Sequence, residues 1–509
     1  MPTIIRRYPA LFSLLIITIL AIVTGIGLFD YPWLNDDLFY RYRFREYFVE
    51  GKPVELSLLW DECVWRHMYD NSRLASFLTV FAIFLPNIVQ TLLSVASLIC
   101  VLWYGLKIAD CRNSWTMTGL WSMLFICFTP WADQMYVFIL QVAYLWGLVP
   151  TLALSYCILY NKGSNTAVYI LAFITGVYQE ALALPVLVGH ATLVLLFPQF
   201  RTRRSLVCSA LLFIGLVWLY MSPGGRLYRN GTGVFAERIH LILPYALPAF
   251  LLVATTLGAA IRWRRLPNPL LVYLSVASVV SAVVMIALPF GPRLGWWSCT
   301  GGWIGICYIT GKITEKKPQL KNTANILAAL CIAFTFVHLA VVNNLCSLER
   351  KVYKEAIDAY MATPCSTIYM EFPLREDMPL IALQKPLIAN LATHGFERSA
   401  HKFYSPDACP PSYIPPTLKN YNDSLAPFIP GSRNELRLFD KYIIGEATED
   451  NPSIEWLLTD YGDGRPACYR RFTRNDFYDS EGKRHTLYVP EFYGVFRKYD
   501  NRNLVTAAR

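Results

Sequence analysis

Charged residues are scarce. They make up 16% of 509 positions, against 55% hydrophobic and 15% aromatic residues, which leaves too little polar surface to cover a water-soluble fold of this length. Lipid must solvate much of the chain. Also missing is any Cys-x-x-Cys pair or His-x-x-x-His spacing among the 13 cysteines and 7 histidines, which excludes zinc ribbons and dense disulfide scaffolds. No Walker lysine motif, Gly-x-Gly-x-x-Gly or Gly-x-Ser-x-Gly occurs, so neither ATP-driven transport nor α/β-hydrolase chemistry is indicated. Although the formal net charge is +10, no basic stripe or tail carries it, and nucleic acid is not an expected partner. The basic residues fall in short clusters between apolar runs, where they read as topology signals.

The first such cluster, Arg6 and Arg7, precedes an apolar stretch from Pro9 to Phe29. That stretch is too long for an ordinary signal-peptide core and lacks an Ala-x-Ala cleavage signal, so it reads as a first span. Placing Arg6 and Arg7 inside puts 30–73 outside as a long first loop. Lys107 with Arg112, Lys162, Arg201 with Arg203 and Arg204, Arg262 with Arg264 and Arg265, and Lys312 through Lys321 then fall where alternation requires inner loops. The last span, Ala324 to Val342, exits outside. The pattern predicts an α-helical polytopic membrane protein of about eleven spans, with a cytoplasmic N-terminus.

Three pieces, Thr116 to Phe128, Thr166 to Val177 and Ala181 to Phe197, are shorter than the roughly 20 residues that cross hydrocarbon straight. Irregular backbone at that depth survives only when buried in protein or lining a water-filled cavity. The Tyr178-Gln179-Glu180 turn therefore predicts a cavity open to the outside. After Val342 the composition shifts to Pro, Tyr, Asp, Arg and Asn. Residues 1–345 are expected to form the membrane domain and 346–509 a small extracytoplasmic α/β or α+β domain. Within it, Leu348 to Met361 has helical spacing. Ser366 to Phe372, Lys441 to Ile444, Cys468 to Phe472 and Leu487 to Val489 read as short strands.

The sharpest chemical feature is Asp36-Asp37 just after the first span, within Tyr31-Pro-Trp-Leu-Asn-Asp-Asp. Adjacent carboxylates can hold a divalent cation, magnesium or manganese. They can also take a proton from an acceptor hydroxyl, since like charges raise one of their pKa values. A polar cap where the chain leaves lipid fits the same residues. Glu180 lies between two short apolar pieces and needs a partner, a proton or a substrate. Ser222-Pro-Gly-Gly-Arg226 and the nearby Arg229 combine glycines that let backbone N–H groups approach an anion with guanidinium forks suited to phosphate. Arg73 and Arg293, each beside an apolar run, are further outer-face cations, and snorkelling arginines in plain turns fit as well. Asp133, Gln134 and Gln141 are placed to line the same cavity, and His67 is the one histidine in the first loop.

Taken together, the first span followed by Asp36-Asp37, the long outer loop, the many further spans and the soluble C-terminal part resemble the GT-C superfamily of polyprenyl-phosphate-sugar-dependent glycosyltransferases. The resemblance covers roughly Pro9 to Val342 and extends to Asp70-Asn-Ser-Arg73, Tyr178-Gln-Glu180 and Gly291-Pro-Arg293. It implies transfer of a sugar from a lipid-phosphate carrier to a cell-envelope glycan, lipid or protein acceptor, on the periplasmic face of a bacterial inner membrane. Asp36 or Asp37 is then the base, and Arg73, Gln179, Glu180, Arg226, Arg229 and Arg293 bind substrate. In that superfamily the acidic motif is often Asp-x-Asp or Glu-x-Asp, whereas here the carboxylates are contiguous. A lipid-linked glycan transporter or flippase, and a surface-glycan polymerase or ligase, are the alternatives. A transporter calls for charged residues along a path to both faces, and a polymerase or ligase for a large late outer loop.

Overall fold

The computed structural model describes residues 9–30, 40, 44, 53–130, 136–224, 239–264, 267–287, 294–361, 443–446, 456–459, 468–478 and 484–490. Its helices, in chain order, begin with α1 (Pro9–Asp30), α2 (Leu56–Tyr69), α3 (Leu74–Ala82), α4 (Asn87–Ile108) and α5 (Trp115–Phe128). Next come α6 (Phe138–Leu159), α7 (Asn165–Tyr178), α8 (Glu180–Leu196), α9 (Arg203–Met221) and α10 (Ile239–Trp263). The last three are α11 (Pro269–Ala287), α12 (Trp296–Lys316) and α13 (Lys321–Met361).

Seven of these helices, α1, α4, α6, α9, α10, α11 and α13, are long and apolar enough to cross a membrane, and α5, α7 and α8 are shorter apolar helices. With α12 they occupy the positions of the eleven expected crossings. The architecture is that of a helical polytopic membrane protein. Leu92, Phe213, Leu257 and Leu330 are large apolar side chains on its exposed face, as lipid-facing positions require.

Polar contacts sort the loops into two ends. Arg204 donates to the carbonyls of Lys162 and Gly163, Tyr160 to the carbonyl of Ile108, Lys312 to Asp110 and Asn268 to Tyr308. These bring the lysine- and arginine-bearing turns together at one end. Helices that start there carry side-chain caps: Ser114, Ser164 and Thr202 each accept from a first-turn N–H, satisfying donors the helix cannot.

Glycines set the tightest helix approaches. A Cβ placed on Gly215 of α9 would lie 2.5 Å from the Gly176 carbonyl carbon of α7, backbone against backbone. On α12, a Cβ at Gly302 would meet Pro248 of α10 at 2.6 Å, and one at Gly305 would meet Leu252 at 2.5 Å. Where helices are surrounded by lipid, such small residues let dispersion contacts and weak hydrogen bonds do the packing.

Two details depart from the expected pattern. The apolar run that follows Arg73 is not one helix: α3 stops before Pro86, and the Gln90 amide donates to the carbonyls of Ala82, Ile83 and Leu85. Proline removes a donor and forces a break, and Gln90 satisfies the acceptors that the break exposes. The last span itself ends at Asn344, close to the expected Val342, but its helix does not stop there. Helix α13 continues to Met361, across the expected 345/346 boundary, because no glycine or proline interrupts 324–361.

By contacts the chain divides into one unit of Met1–Phe29 and Glu55–Asn343 and a second of Asp30–Val54 and Asn344–Arg509. The second contains an antiparallel four-stranded sheet of order β1-β4-β3-β2, formed by β1 (Ile443–Glu446), β2 (Trp456–Thr459), β3 (Cys468–Tyr478) and β4 (Arg484–Pro490). Registers include Ile443 opposite Tyr488 and Thr473 opposite Val489. Expected strands around 443, 468 and 487 coincide with β1, β3 and β4, and β2 has no counterpart among them. The expected strand at Ser366 to Phe372 lies outside the described residues.

Candidate functional site

Helices α7 and α8 are separated by a single residue. Gln179 is at once the end of one and the start of the other, in extended backbone with φ −163° and ψ 134°. The close approach at Gly176 and Gly215 fixes α7 one turn earlier, so the break is held rather than loose. Its other anchor is Tyr178, buried, whose hydroxyl donates to the carbonyl of Val142 at 2.7 Å. That carbonyl belongs to a π-helical turn, Gln141–Trp146, inside α6. A π-turn shifts the backbone ladder and leaves an acceptor exposed, and such turns recur at functional sites. Gln141 itself is 3% exposed. Ser94 donates to its Oε1 at 2.6 Å, and Trp146 Nε1 donates to Ser94 at 3.1 Å.

At the break Glu180 meets Arg73. Arg73 Nε donates to one Glu180 carboxylate oxygen at 2.9 Å and Nη2 donates to the other, a bidentate fork across 107 residues of sequence. Both side chains are largely covered, 16% and 22% exposed. Glu180 opens α8, where the helix dipole favours a negative charge. Arg73 stands at the N-terminal end of α3 with φ −68° and ψ 135°, its guanidinium reaching across to α8.

A second charged group lies close by in sequence. Arg66 on α2 is 1% exposed and sits between Glu62 at 2.9 Å and Asp70 at 2.8 Å. One guanidinium thus bridges two carboxylates on the same helix face. Ser72 Oγ is 2.7 Å from His67 Nδ1, and the His67 ring stacks on Trp218 of α9 at 5.3 Å. Ser76 donates to Asn71 at 2.5 Å. Polar contacts therefore pin the α2–α3 corner from Arg66 to Arg73. Burial pushes the Cys63 thiol up, with the Arg66 guanidinium opposing, which keeps it out of nucleophile chemistry at neutral pH.

The turn after α9 packs on that corner. A Cβ at Gly224 would lie 2.8 Å from both the Arg66 carbonyl oxygen and the Asp70 nitrogen, so only glycine fits. Three of the sequence motifs, Asp70-Asn-Ser-Arg73, Tyr178-Gln-Glu180 and the start of Ser222-Pro-Gly-Gly-Arg226, thus converge on one polar cluster. Asp36, Asp37, Asp133, Gln134, Arg226, Arg229 and Arg293 lie outside the described residues. Among the described residues no group of three or more His, Cys, Asp or Glu has the arrangement to hold a metal ion.

Some members of the cluster are not among the residues the motifs single out. Arg66 carries a readable signal, since Glu62, Arg66 and Asp70 are spaced four apart and share a helix face. Gln141 is among the residues expected to line the cavity, whereas the π-turn it opens and its partner Ser94 carry no sequence signal.

One side chain in the cluster has an unmet acceptor. Gln179 is 1% exposed, does not cap the helix it precedes, and its Oε1 accepts no hydrogen bond among the described residues. A buried acceptor left unmet costs roughly 1–3 kcal/mol. No family model matches the chain, and no curated protein matches it.

Proposed function

We propose that this protein is a membrane glycosyltransferase that moves a sugar from a polyprenyl-phosphate carrier to a cell-envelope acceptor at the end of the bundle opposite the cationic loops. The observation that carries the reading is the largely covered Arg73–Glu180 fork at the one-residue break between α7 and α8. Ion pairs at membrane depth are expensive and persist where they meet substrate or ions. A lipid phosphate entering low dielectric needs a paired, hydrogen-bonding cation, which a guanidinium fork supplies.

In the proposed reaction Asp36 or Asp37 takes the proton of an acceptor hydroxyl as its oxygen attacks the anomeric carbon. The bond from that carbon to the carrier phosphate breaks, and the phosphate leaves with the electron pair. Arg73, Arg226, Arg229 and Arg293 neutralise it. A divalent cation bound by Asp36 and Asp37 would strengthen that neutralisation. The proposed orientation puts the N-terminus in the cytoplasm of a bacterial inner membrane and the C-terminal domain in the periplasm, where it selects the acceptor. Direct displacement inverts the anomeric centre, so NMR of the product tests the mechanism: inversion is expected, and retention rules it out. Movement of lipid-linked sugar between leaflets without transfer would instead identify a transporter.

A further inference from the structure

We propose that Lys107, Trp103, Tyr104 and Tyr156 form a binding site for the headgroup of an anionic phospholipid, separate from the Arg73–Glu180 site and independent of the sugar-transfer reading. Helix α4 starts at Asn87 and carries Lys107 in its last turn, about 30 Å of helix away from the α3 break. Lys107 therefore lies at the cationic end, among the turns that Arg204 and Lys312 hold together.

The site is built from two helices. Trp103 and Tyr104 stand four and three residues before Lys107, so they share its face of α4, and Tyr156 comes from α6. Lys107 Nζ lies 5.6, 5.0 and 5.4 Å from the ring centroids of Trp103, Tyr104 and Tyr156. The Tyr104 and Tyr156 rings are 6.1 Å apart, and Tyr160 packs on Tyr156 at 5.3 Å. The Tyr160 hydroxyl donates to the carbonyl of Ile108 at 2.7 Å, which fixes the end of α4 that carries the ammonium against α6.

What this box lacks is acceptors. Lys107 has no carboxylate partner among the described residues, and Asp110, the nearest acid in sequence, pairs with Lys312. The Trp103 indole N–H and the Tyr104 and Tyr156 hydroxyls make no hydrogen bond among the described residues, and all four side chains are partly exposed. Aromatic faces attract a cation without neutralising it. Arg204 of α9 adds to the charge: the Cys157 thiol on α6 lies in the field of both Lys107 and Arg204. An ammonium with three further N–H and O–H donors matches a phosphate ester, whose free oxygens only accept. Basic pockets between spanning helices hold anionic headgroups in this way. Trp103 also lies about three turns along α4 from the exposed Leu92, on the same face. The box thus continues a lipid-facing surface, at the depth where Trp and Tyr rings sit between headgroups and acyl chains.

The test is binding to the full chain in detergent micelles, read as thermal stabilisation during titration with phosphatidylglycerol, phosphatidylcholine or inorganic phosphate. Wild type is expected to bind phosphatidylglycerol about tenfold more tightly than phosphatidylcholine, the scale of one charge-assisted hydrogen bond, and inorganic phosphate should not displace it. Lys107→Met should remove the preference. The Tyr104→Phe, Tyr156→Phe double variant keeps both rings and the ammonium, and should weaken phosphatidylglycerol binding by about threefold or more. Arg112→Gln removes an exposed cation from the same end and should leave the preference intact. A preference unchanged in Lys107→Met overturns the site. Should that variant fail to fold, unchanged binding by the phenylalanine double variant does so alone. An equal loss in Arg112→Gln reduces the effect to general surface charge, and displacement by inorganic phosphate overturns the lipid as ligand.

Discussion

Arg73 and Glu180 are joined by two hydrogen bonds between residues that begin separate helices, α3 and α8. The pair holds the corner after the first loop to the break between two short apolar helices. Removing one partner takes a bidentate charged contact away from a largely covered side chain. Arg73→Met and Glu180→Leu should each destabilise the fold by roughly 2 kcal/mol, and the double variant should recover most of that loss. Denaturation in mixed micelles checks this. Sugar transfer should be lost in all three, including the stable double variant, which separates the pair's chemical role from its structural one.

Arg66 is expected to be the more costly cation to lose. It is almost fully buried between Glu62 and Asp70, and Arg66→Met takes away the guanidinium that both carboxylates share. The expected destabilisation is about 2–3 kcal/mol, set by loss of a buried guanidinium that two carboxylates share. A measured loss smaller than that of Arg73→Met would show that the α2–α3 corner is held by other contacts.

Helix packing gives a matched pair of glycine tests. Gly215→Ala drives a methyl into the Gly176 backbone, whereas a Cβ at Gly258 on α10 meets nothing within 4 Å. The first should cost about 1–3 kcal/mol because backbone cannot step aside. The second should be neutral or stabilising by up to about 1 kcal/mol, since alanine is the better helix former. Thermal melting of the two variants against wild type decides it.

Much of this arrangement is legible in the sequence. Apolar runs and alternating lysine and arginine clusters locate the helices, because lipid imposes both on the chain. Arg73, Gln179 and Glu180 stand out as polar residues at the edges of apolar runs. Their meeting does not, since the Arg73–Glu180 contact spans 107 residues and no local pattern encodes it. The π-turn at Gln141 is hidden for a different reason: it changes the hydrogen-bond ladder without changing the apolar period. Pro86 is visible in the sequence, but the split of 74–108 into two helices depends on Gln90 capping three carbonyls.

Gln90 accordingly offers a test of local rather than global packing. Gln90→Leu removes the donor to Ala82, Ile83 and Leu85. Hydrogen exchange should accelerate in α3 and at the start of α4, with an overall cost of roughly 1–2 kcal/mol. Unchanged exchange in α3 would mean the exposed carbonyls find other donors.

At the cationic end, burial first, then Asp110 and Glu315, push the Cys111 thiol up to about 12 from 9.0. The thiol therefore ionises in the unfolded chain before it does in the folded one. Its contribution is complete below pH 9.0 and declines as pH rises from there, by at most about 1.4 kcal/mol per unit. Stability of Cys111→Ala compared with wild type at about pH 8 and about pH 10.5, on either side of the unfolded thiol's titration, measures it. The variant should lose less on going to the higher pH.

The most direct measurement is sugar transfer by the purified chain in nanodiscs, from a panel of radiolabelled polyprenyl-phosphate sugars, comparing wild type with an Asp36→Ala, Asp37→Ala double variant of equal thermal stability. Transfer from at least one donor, abolished in the double variant, is the predicted result. Transfer that survives the loss of both carboxylates would contradict the proposed base, and leaflet-to-leaflet movement of the lipid-linked sugars without any transfer would contradict the enzyme itself.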